Sequence, residues 1–190
     1  MPGDCVYVDL NADGEINSND ATRDIGYTDM PEYTAGLNTG FSWKNFDFSM
    51  QWTGAWNVDR MLDEFRRPLG DTNEKGLLLY QYDTTWRSSA DTFTAKFPRT
   101  SSLHASNNYA GSDLYLINAS YLRLKSVEIG YNFNFPFMKK LKMDNCRLYV
   151  NGYNLITITG FKWGDPDSRQ SSRPNYPLTR VFNIGLKLGF

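Results

Sequence analysis

Side chains that end in oxygen recur at close, regular spacing in Asp9-Leu10-Asn11-Ala12-Asp13-Gly14-Glu15-Ile16-Asn17-Ser18-Asn19-Asp20. Counted from Asp9, the residues at the ligand positions of a twelve-residue calcium loop are Asp9, Asn11, Asp13 and Asp20; Glu15 can offer its carbonyl, and Gly14 stands where the chain must turn sharply. Ile16 stands where such a loop anchors itself inward. The last ligand position holds Asp20 rather than the longer Glu that reaches a cation with both oxygens. Val6, Tyr7 and Val8 precede the loop and read as extended chain, so a lone loop holding one structural Ca2+ is expected, with a metal-free Asx-rich turn as the other reading.

Other chemistry finds little support. His104 is the only histidine, so neither a histidine-dependent triad nor a multi-histidine zinc site can be assembled from this chain. Asp63-Glu64 and Asp165-Pro166-Asp167 bring carboxylates together, but acidic pairs are common in loops and the second reads as a turn. Gly152 and Gly160 are isolated, so no phosphate-binding loop is present, and no enzymatic activity is expected. Trp86, Phe97, Tyr109 and Trp163 are scattered through polar stretches. They can stack on a sugar ring or grip a partner, or simply pack the loops together. Cys5 and Cys146 lack metal-ligand spacing; a bridge between them and two small apolar thiols both remain open.

The elements that must carry these residues are strands. Tyr33, Ala35, Leu37, Thr39, Phe41 and Trp43 alternate with small or polar residues, and after Lys44-Asn45 the pattern resumes with Phe46, Phe48, Met50 and Trp52. A hairpin of 33–43 and 46–56 follows. A third strand is expected at 113–133. There Leu122 and Leu124 stand at even positions and Val127, Ile129, Tyr131 and Phe133 at odd ones, which requires a bulge near Lys125 and Ser126. The fourth strand is expected at 146–156. The fifth, 179–190, sets Phe182, Ile184, Leu186, Leu188 and Phe190 on one side. Residues 57–112 and 157–177 show no period and read as long polar loops, the first of them a structureless connection longer than compact domains use.

Net charge is -1 and 22% of residues are charged, with no basic block, so nucleic acid is not an expected partner. No apolar run approaches a helical membrane span. The start, Met1-Pro2-Gly3-Asp4, lacks the charged and apolar regions of a secretory leader. Aromatic residues make up 15% of the chain, and those on the apolar parity cluster near strand ends, where a membrane girdle would place them. Formal charge is absent from the same parity. Short and long connections fall at opposite ends of the strands, as short periplasmic turns and long extracellular loops do in outer-membrane barrels. The fold expected is all-β: an antiparallel transmembrane β-barrel segment, with 1–32 an extracellular loop carrying the calcium loop 9–20 and 33–190 the barrel strands. Five strands fall short of the roughly eight that close the smallest bacterial barrels, so a larger parent protein is expected. The competing reading is a secreted, calcium-stabilised β-sandwich that binds carbohydrate, in which a second sheet covers the apolar side.

Several elements in order carry a resemblance. The Asp9–Asp20 loop is followed by Gly26 and Pro31, then Trp86, Phe97-Pro98-Arg99, Ser120-Tyr121-Leu122-Arg123-Leu124-Lys125, Gly130-Tyr131 and Asn154-Leu155-Ile156-Thr157. Asp165-Pro166-Asp167, Tyr176-Pro177 and Gly185 to Phe190 complete the order. Over nearly its whole length the chain resembles the C-terminal region of the SusC/RagA family of TonB-linked outer-membrane proteins, nutrient importers of Gram-negative bacteria. The resemblance implies a barrel of about 22 strands with a plugged lumen. It implies as partners a SusD-like lipoprotein, the TonB complex acting through regions outside this chain, the barrel assembly machinery and outer-membrane lipid. The substrate would be an oligosaccharide or a peptide. It also implies that Phe182, Ile184, Leu186, Leu188 and Phe190 form the terminal strand that the assembly machinery reads.

Overall fold

The computed structural model describes residues 1–66, 78–100, 106–136, 142–168 and 178–190. The chain divides into two compact units, Met1–Asp29 with Asp59–Ile117, and Met30–Val58 with Asn118–Phe190. A boundary at residue 32 therefore describes it less well than one that returns 59–117 to the N-terminal segment.

The second unit is one antiparallel sheet. Its strands are β1 (Tyr33–Trp43), β2 (Phe46–Trp56), β5 (Tyr121–Phe133), β6 (Asn145–Thr159) and β7 (Val181–Gly189), hydrogen-bonded in the order β1-β2-β5-β6-β7. β1 and β2 pair without interruption from Tyr33↔Trp56 to Trp43↔Phe46, so Lys44 and Asn45 alone make the turn. Lys44 takes φ 54, and its ammonium lies 4.8 Å from the centre of the Trp43 ring.

The parity change read in β5 is a bulge. Gln51 pairs with Ser126 but Trp52 pairs with Leu124, leaving Lys125 unmatched. On the other flank Leu124 pairs with Ile156 and Ser126 with Tyr153, and Asn154 between them takes φ 54. The extra residue turns Leu122 and Leu124 onto the face that carries Val127 and Ile129. The third strand begins at Tyr121 and not at Asp113, because Asp113–Tyr115 coil into a 3₁₀ turn and Leu116–Asn118 form a separate short strand, β4. β4 pairs with β3 (Asp59–Met61). The last two strands also differ in extent from 146–156 and 179–190, the fourth being longer and the fifth shorter.

The first unit corrects the expectation of a structureless connection over 57–112. Its described part folds around rings. Phe97 stacks on Phe65 at 5.3 Å and on Tyr115 at 6.2 Å, and meets Tyr80 of helix α1 (Leu79–Thr84) edge-on at 6.0 Å. Phe65 and Tyr115 are 3% and 1% exposed. Beside them Asn108 is fully buried and satisfied: its side chain accepts from the Cys5 amide at 2.8 Å and donates to Asp4 at 2.8 Å, while its carbonyl accepts from Tyr115 Oη at 2.6 Å. Asp4 also accepts from Arg99 Nε at 2.6 Å. Four rings and one buried amide hold together a segment whose sequence shows no period.

Candidate functional site

Sheet alternation sends successive side chains to opposite faces, and the register aligns the two sets across all five strands. On one face, the row Phe41–Phe48–Ile129–Val150–Ile184 crosses the sheet, and Trp43–Phe46–Tyr131–Leu148–Leu186 runs parallel to it. These side chains are not a core. Phe41, Trp43 and Ile184 are 58%, 66% and 78% exposed, and Val150, in the middle of the sheet, is 45% exposed. A sandwich's second sheet would bury that face, so the exposure goes against the sandwich reading. So continuous an apolar surface requires an apolar environment.

The opposite face is polar and internally paired. Arg147 of β6 reaches across β5 to Asp47 of β2, donating from Nε at 3.1 Å and also through Nη2, and the same Nη2 donates to Glu128 at 2.8 Å. Gly130 lies beneath that path: a Cβ there would stand 2.3 Å from the guanidinium, so a side chain at 130 would displace the bridge. Asn151 donates to Glu128 at 3.2 Å and Asn183 donates to Asn151 at 2.9 Å, which carries the network to β7. Toward the end with the long connections, Arg123 is 5% exposed. Its Nη2 donates to both oxygens of Asp165, at 2.7 and 2.9 Å, and its Nε donates to Thr157 at 3.1 Å. Asp165 also accepts from the Asp167 amide at 2.8 Å, so it closes the expected turn while holding a buried arginine. Spacing alone marks neither network. The available signal was the placement of Asp47, Arg123, Glu128 and Arg147 on the polar parity.

The Asp9–Asp20 loop closes on its own carboxylates. Gly14, at φ 86, makes the tight turn, and its amide donates to Asp9 at 2.9 Å; Asp13 and Asn11 accept from the Glu15 and Asp13 amides. Asp20 accepts from the amides of Asn17 and Leu10, both at 2.8 Å. The Asn17 amide foremost, with the amides of Leu10 and Asn11, lowers the Asp20 carboxyl below its ordinary value. Asp9 Oδ1 is buried with no hydrogen-bond partner. That orphaned oxygen, in a donor set made only of oxygens, suits a hard cation. Among the described residues no three His, Cys, Asp or Glu side chains gather tightly enough to hold an ion. Ile16 is 57% exposed, so it does not anchor the loop inward.

The loop aromatics occupy several settings. Phe97 sits in the ring cluster, and Trp86 lies against Gly3, where a Cβ would fall 2.3 Å from its ring. Tyr109 and Trp163 are half-buried, and the Tyr109 carbonyl accepts from Arg66. The fully presented ring is Phe93, 99% exposed. Phe182, Ile184, Leu186 and Phe190 of the terminal segment are exposed by more than half. Cys5 and Cys146 are free, half-buried thiols, and His104 lies outside the described residues.

A two-faced, open-edged antiparallel sheet is what a cut from a membrane barrel looks like, and relatives of the chain agree with that shape. No family model matches the chain. It is 30% identical over 206 residues to TonB-dependent receptor P3 of Formosa agariphila, covering 100% of this chain and 19% of the receptor. It is 27% identical over 191 residues to TonB-dependent receptor SusC of Bacteroides thetaiotaomicron, covering 100% of this chain and 18% of SusC. Along its whole length the chain is similar to part of the TonB-dependent receptors, SusC among them. It spans about a fifth of the length of the curated relatives it matches. The fold agrees. The RagAB peptide importer in its closed-closed state superposes with a TM-score of 0.66 at 20% identity, covering 94% of this chain and 20% of that one. The open-open state gives 0.65 at 22% identity, over 86% of this chain and 18% of that one. TonB-dependent receptors of the SusC/RagA type are outer-membrane β-barrel proteins.

Proposed function

We propose that this chain supplies barrel wall, extracellular loops and the C-terminal assembly strand of a TonB-dependent transporter in the outer membrane, which imports glycans or peptides. One observation carries the reading: a five-stranded sheet keeps an unbroken exposed apolar face on one side and an ion-paired polar face on the other. In hydrocarbon every backbone amide must be paired, so the open edges of β1 and β7 are completed by neighbouring strands of a closed barrel. The apolar rows face lipid. The Arg147–Asp47–Glu128 network faces the lumen, and the Lys44-Asn45 turn lies on the periplasmic side.

A SusD-like lipoprotein meets the extracellular loops, and the TonB complex acts through parts of the receptor beyond this segment. The barrel assembly machinery reads Phe182, Ile184, Leu186, Leu188 and Phe190. The Asp9–Asp20 loop holds one Ca2+ through Asp9, Asn11, Asp13, the Glu15 carbonyl and Asp20; the orphaned Asp9 oxygen supports this assignment. The ion would supply charge neutralisation and a fixed loop shape.

Phe48 tests the reading. Its ring lies 5.4 Å from that of Phe41, in the row that also holds Ile129. Phe48→Lys in the full receptor places an ammonium on the lipid face, at a cost that reaches about 2 to 4 kcal/mol at the midplane and falls toward the interface. Loss of membrane-inserted, heat-modifiable receptor is expected. Normal levels of inserted Phe48→Lys protein would reject the barrel.

A further inference from the structure

Arg123 is 5% exposed on the polar face of β5, and the carboxylate that neutralises it comes from the β6–β7 connection and not from a neighbouring strand. We infer that Arg123 is a positioning residue that latches this connection over the inner wall, so that the segment 161–168 is a fixed constriction that narrows the lumen and excludes bulky solutes. The inference rests on the reading above that the polar face lines the transporter's interior.

The latch is built from both sides. Arg123 Nη2 donates to both oxygens of Asp165, at 2.7 and 2.9 Å, while its Nε donates to Thr157 of β6 at 3.1 Å, so the guanidinium is tied to the wall as well as to the loop. The Asp165 side chain is 13% exposed. Its own turn is closed twice, by the Asp167 amide on its carboxylate at 2.8 Å and by the Ser168 amide on its carbonyl at 3.1 Å. Where the segment leaves β6, Thr159 donates to the Ser120 carbonyl at 2.7 Å and accepts from the Phe161 amide at 3.1 Å. Phe161 and Pro166 are buried. Gly164 takes φ 128 directly before the gripped residue, a conformation that suits glycine and sends the chain back. A connection free to rise into water needs none of these ties, and ordering it costs conformational entropy that the charge-assisted pair offsets.

The connection also faces the far side of the sheet. A recess of about 640 Å³ is bordered by Asp167 and Leu178 of the connection and by Thr34 and Gly36 of β1. β1 stands three strands from β6, roughly 14 Å at about 4.8 Å per strand. The space between connection and wall has the volume of a small-molecule site, and a polymer coil does not fit it. Lys125, the bulge residue, is exposed and borders the same space, so it can report what passes.

The test uses the full receptor purified in detergent, with Cys5, Cys146 and any other accessible thiol replaced by alanine and Lys125→Cys as the reporter. Two reagents of the same chemistry are compared, N-ethylmaleimide and a maleimide on a branched polyethylene glycol. With the latch intact, the small reagent is expected to label and the bulky one to be excluded. Asp165→Asn combined with Asp167→Asn removes both carboxylates near Arg123, because Asp167 stands 4.0 Å from Nη1 and would replace a lost Asp165. Arg123→Gln removes the latch from the wall side. In both variants labelling by the bulky reagent should rise about tenfold or more while the small reagent changes less than about twofold, since a guanidinium or carboxylate left without its partner turns to water and releases the segment. Tryptic cleavage after Lys162 should rise with it. Equal labelling of the latched receptor by the two reagents, or an unchanged ratio of their rates in both variants, overturns the constriction. The two loop changes lie outside the strand ladder, so loss of insertion in that variant would also overturn a role confined to positioning. A latched receptor that is not inserted and heat-modifiable overturns the barrel reading instead, and the inference with it.

Discussion

At the scale of single residues, the calcium loop shows both what spacing reveals and what it conceals. The types and positions of Asp9, Asn11, Asp13 and Asp20 announce oxygen chemistry, and Gly14 takes the positive φ its place demands. The spacing does not say where each oxygen points. Here most of them accept from the loop's own amides, an arrangement that offsets part of their charge, while Asp9 Oδ1 accepts nothing. A cation entering the loop would use that oxygen first. Elemental analysis of the purified receptor should therefore find about one calcium per chain lost when Asp9→Ala and Asp13→Ala are combined, since two of the charged ligands disappear together. An unchanged metal content would reject the loop as the site. Ile16 misled because position in a motif stands for burial only when a partner loop is there to cover it.

At the scale of elements, parity was the legible quantity. Leu122 and Leu124 against Val127 and Ile129 require one extra residue between them, and Lys125 is that residue. The starts and ends of strands were less legible, because Asp113–Tyr115 keep apolar residues but coil into a 3₁₀ turn that buries Tyr115. The first unit was illegible for a related reason. A cluster such as Phe65, Tyr80, Phe97 and Tyr115 is assembled from distant single rings, and neither a period of two nor one of 3.6 marks them. Parity also makes a prediction. Deleting Lys125 removes the bulge but leaves both halves of β5 facing as before, so the receptor should still insert. Inserting one alanine between Val127 and Glu128 turns the Glu128 carboxylate toward the lipid and Ile129 toward the lumen, and should abolish insertion. Heat-modifiable migration reads both; equal levels for the two variants would contradict the assigned register.

At the scale of the whole molecule, the sheet is stable only if each face meets its own medium, and neighbouring residues of one central strand can test both at once. Val150 and Asn151 are adjacent in β6. Val150 pairs with Ile129 on one side and Ile184 on the other, in the exposed apolar row, whereas Asn151 pairs with Glu128 and Asn183 and donates to Glu128 at 3.2 Å. Lysine at 150 would carry its charge to the hydrocarbon face, at a cost of up to about 2 to 4 kcal/mol, the midplane value. Lysine at 151 would extend into the lumen beside a carboxylate already there, where an ion pair is worth roughly 0 to 1 kcal/mol in its favour. Val150→Lys should therefore reduce inserted receptor at least about tenfold, and Asn151→Lys should leave it near wild type. The two variants have the same charge and stand at adjacent positions of the same strand. A soluble sheet with water on both sides would invert the expectation: Val150→Lys would be the benign change on an exposed face, and Asn151→Lys the one that disturbs a network. Quantifying heat-modifiable receptor in outer-membrane fractions of the two variants separates lipid from water as the medium of the apolar face, and only the first ordering is compatible with a barrel wall.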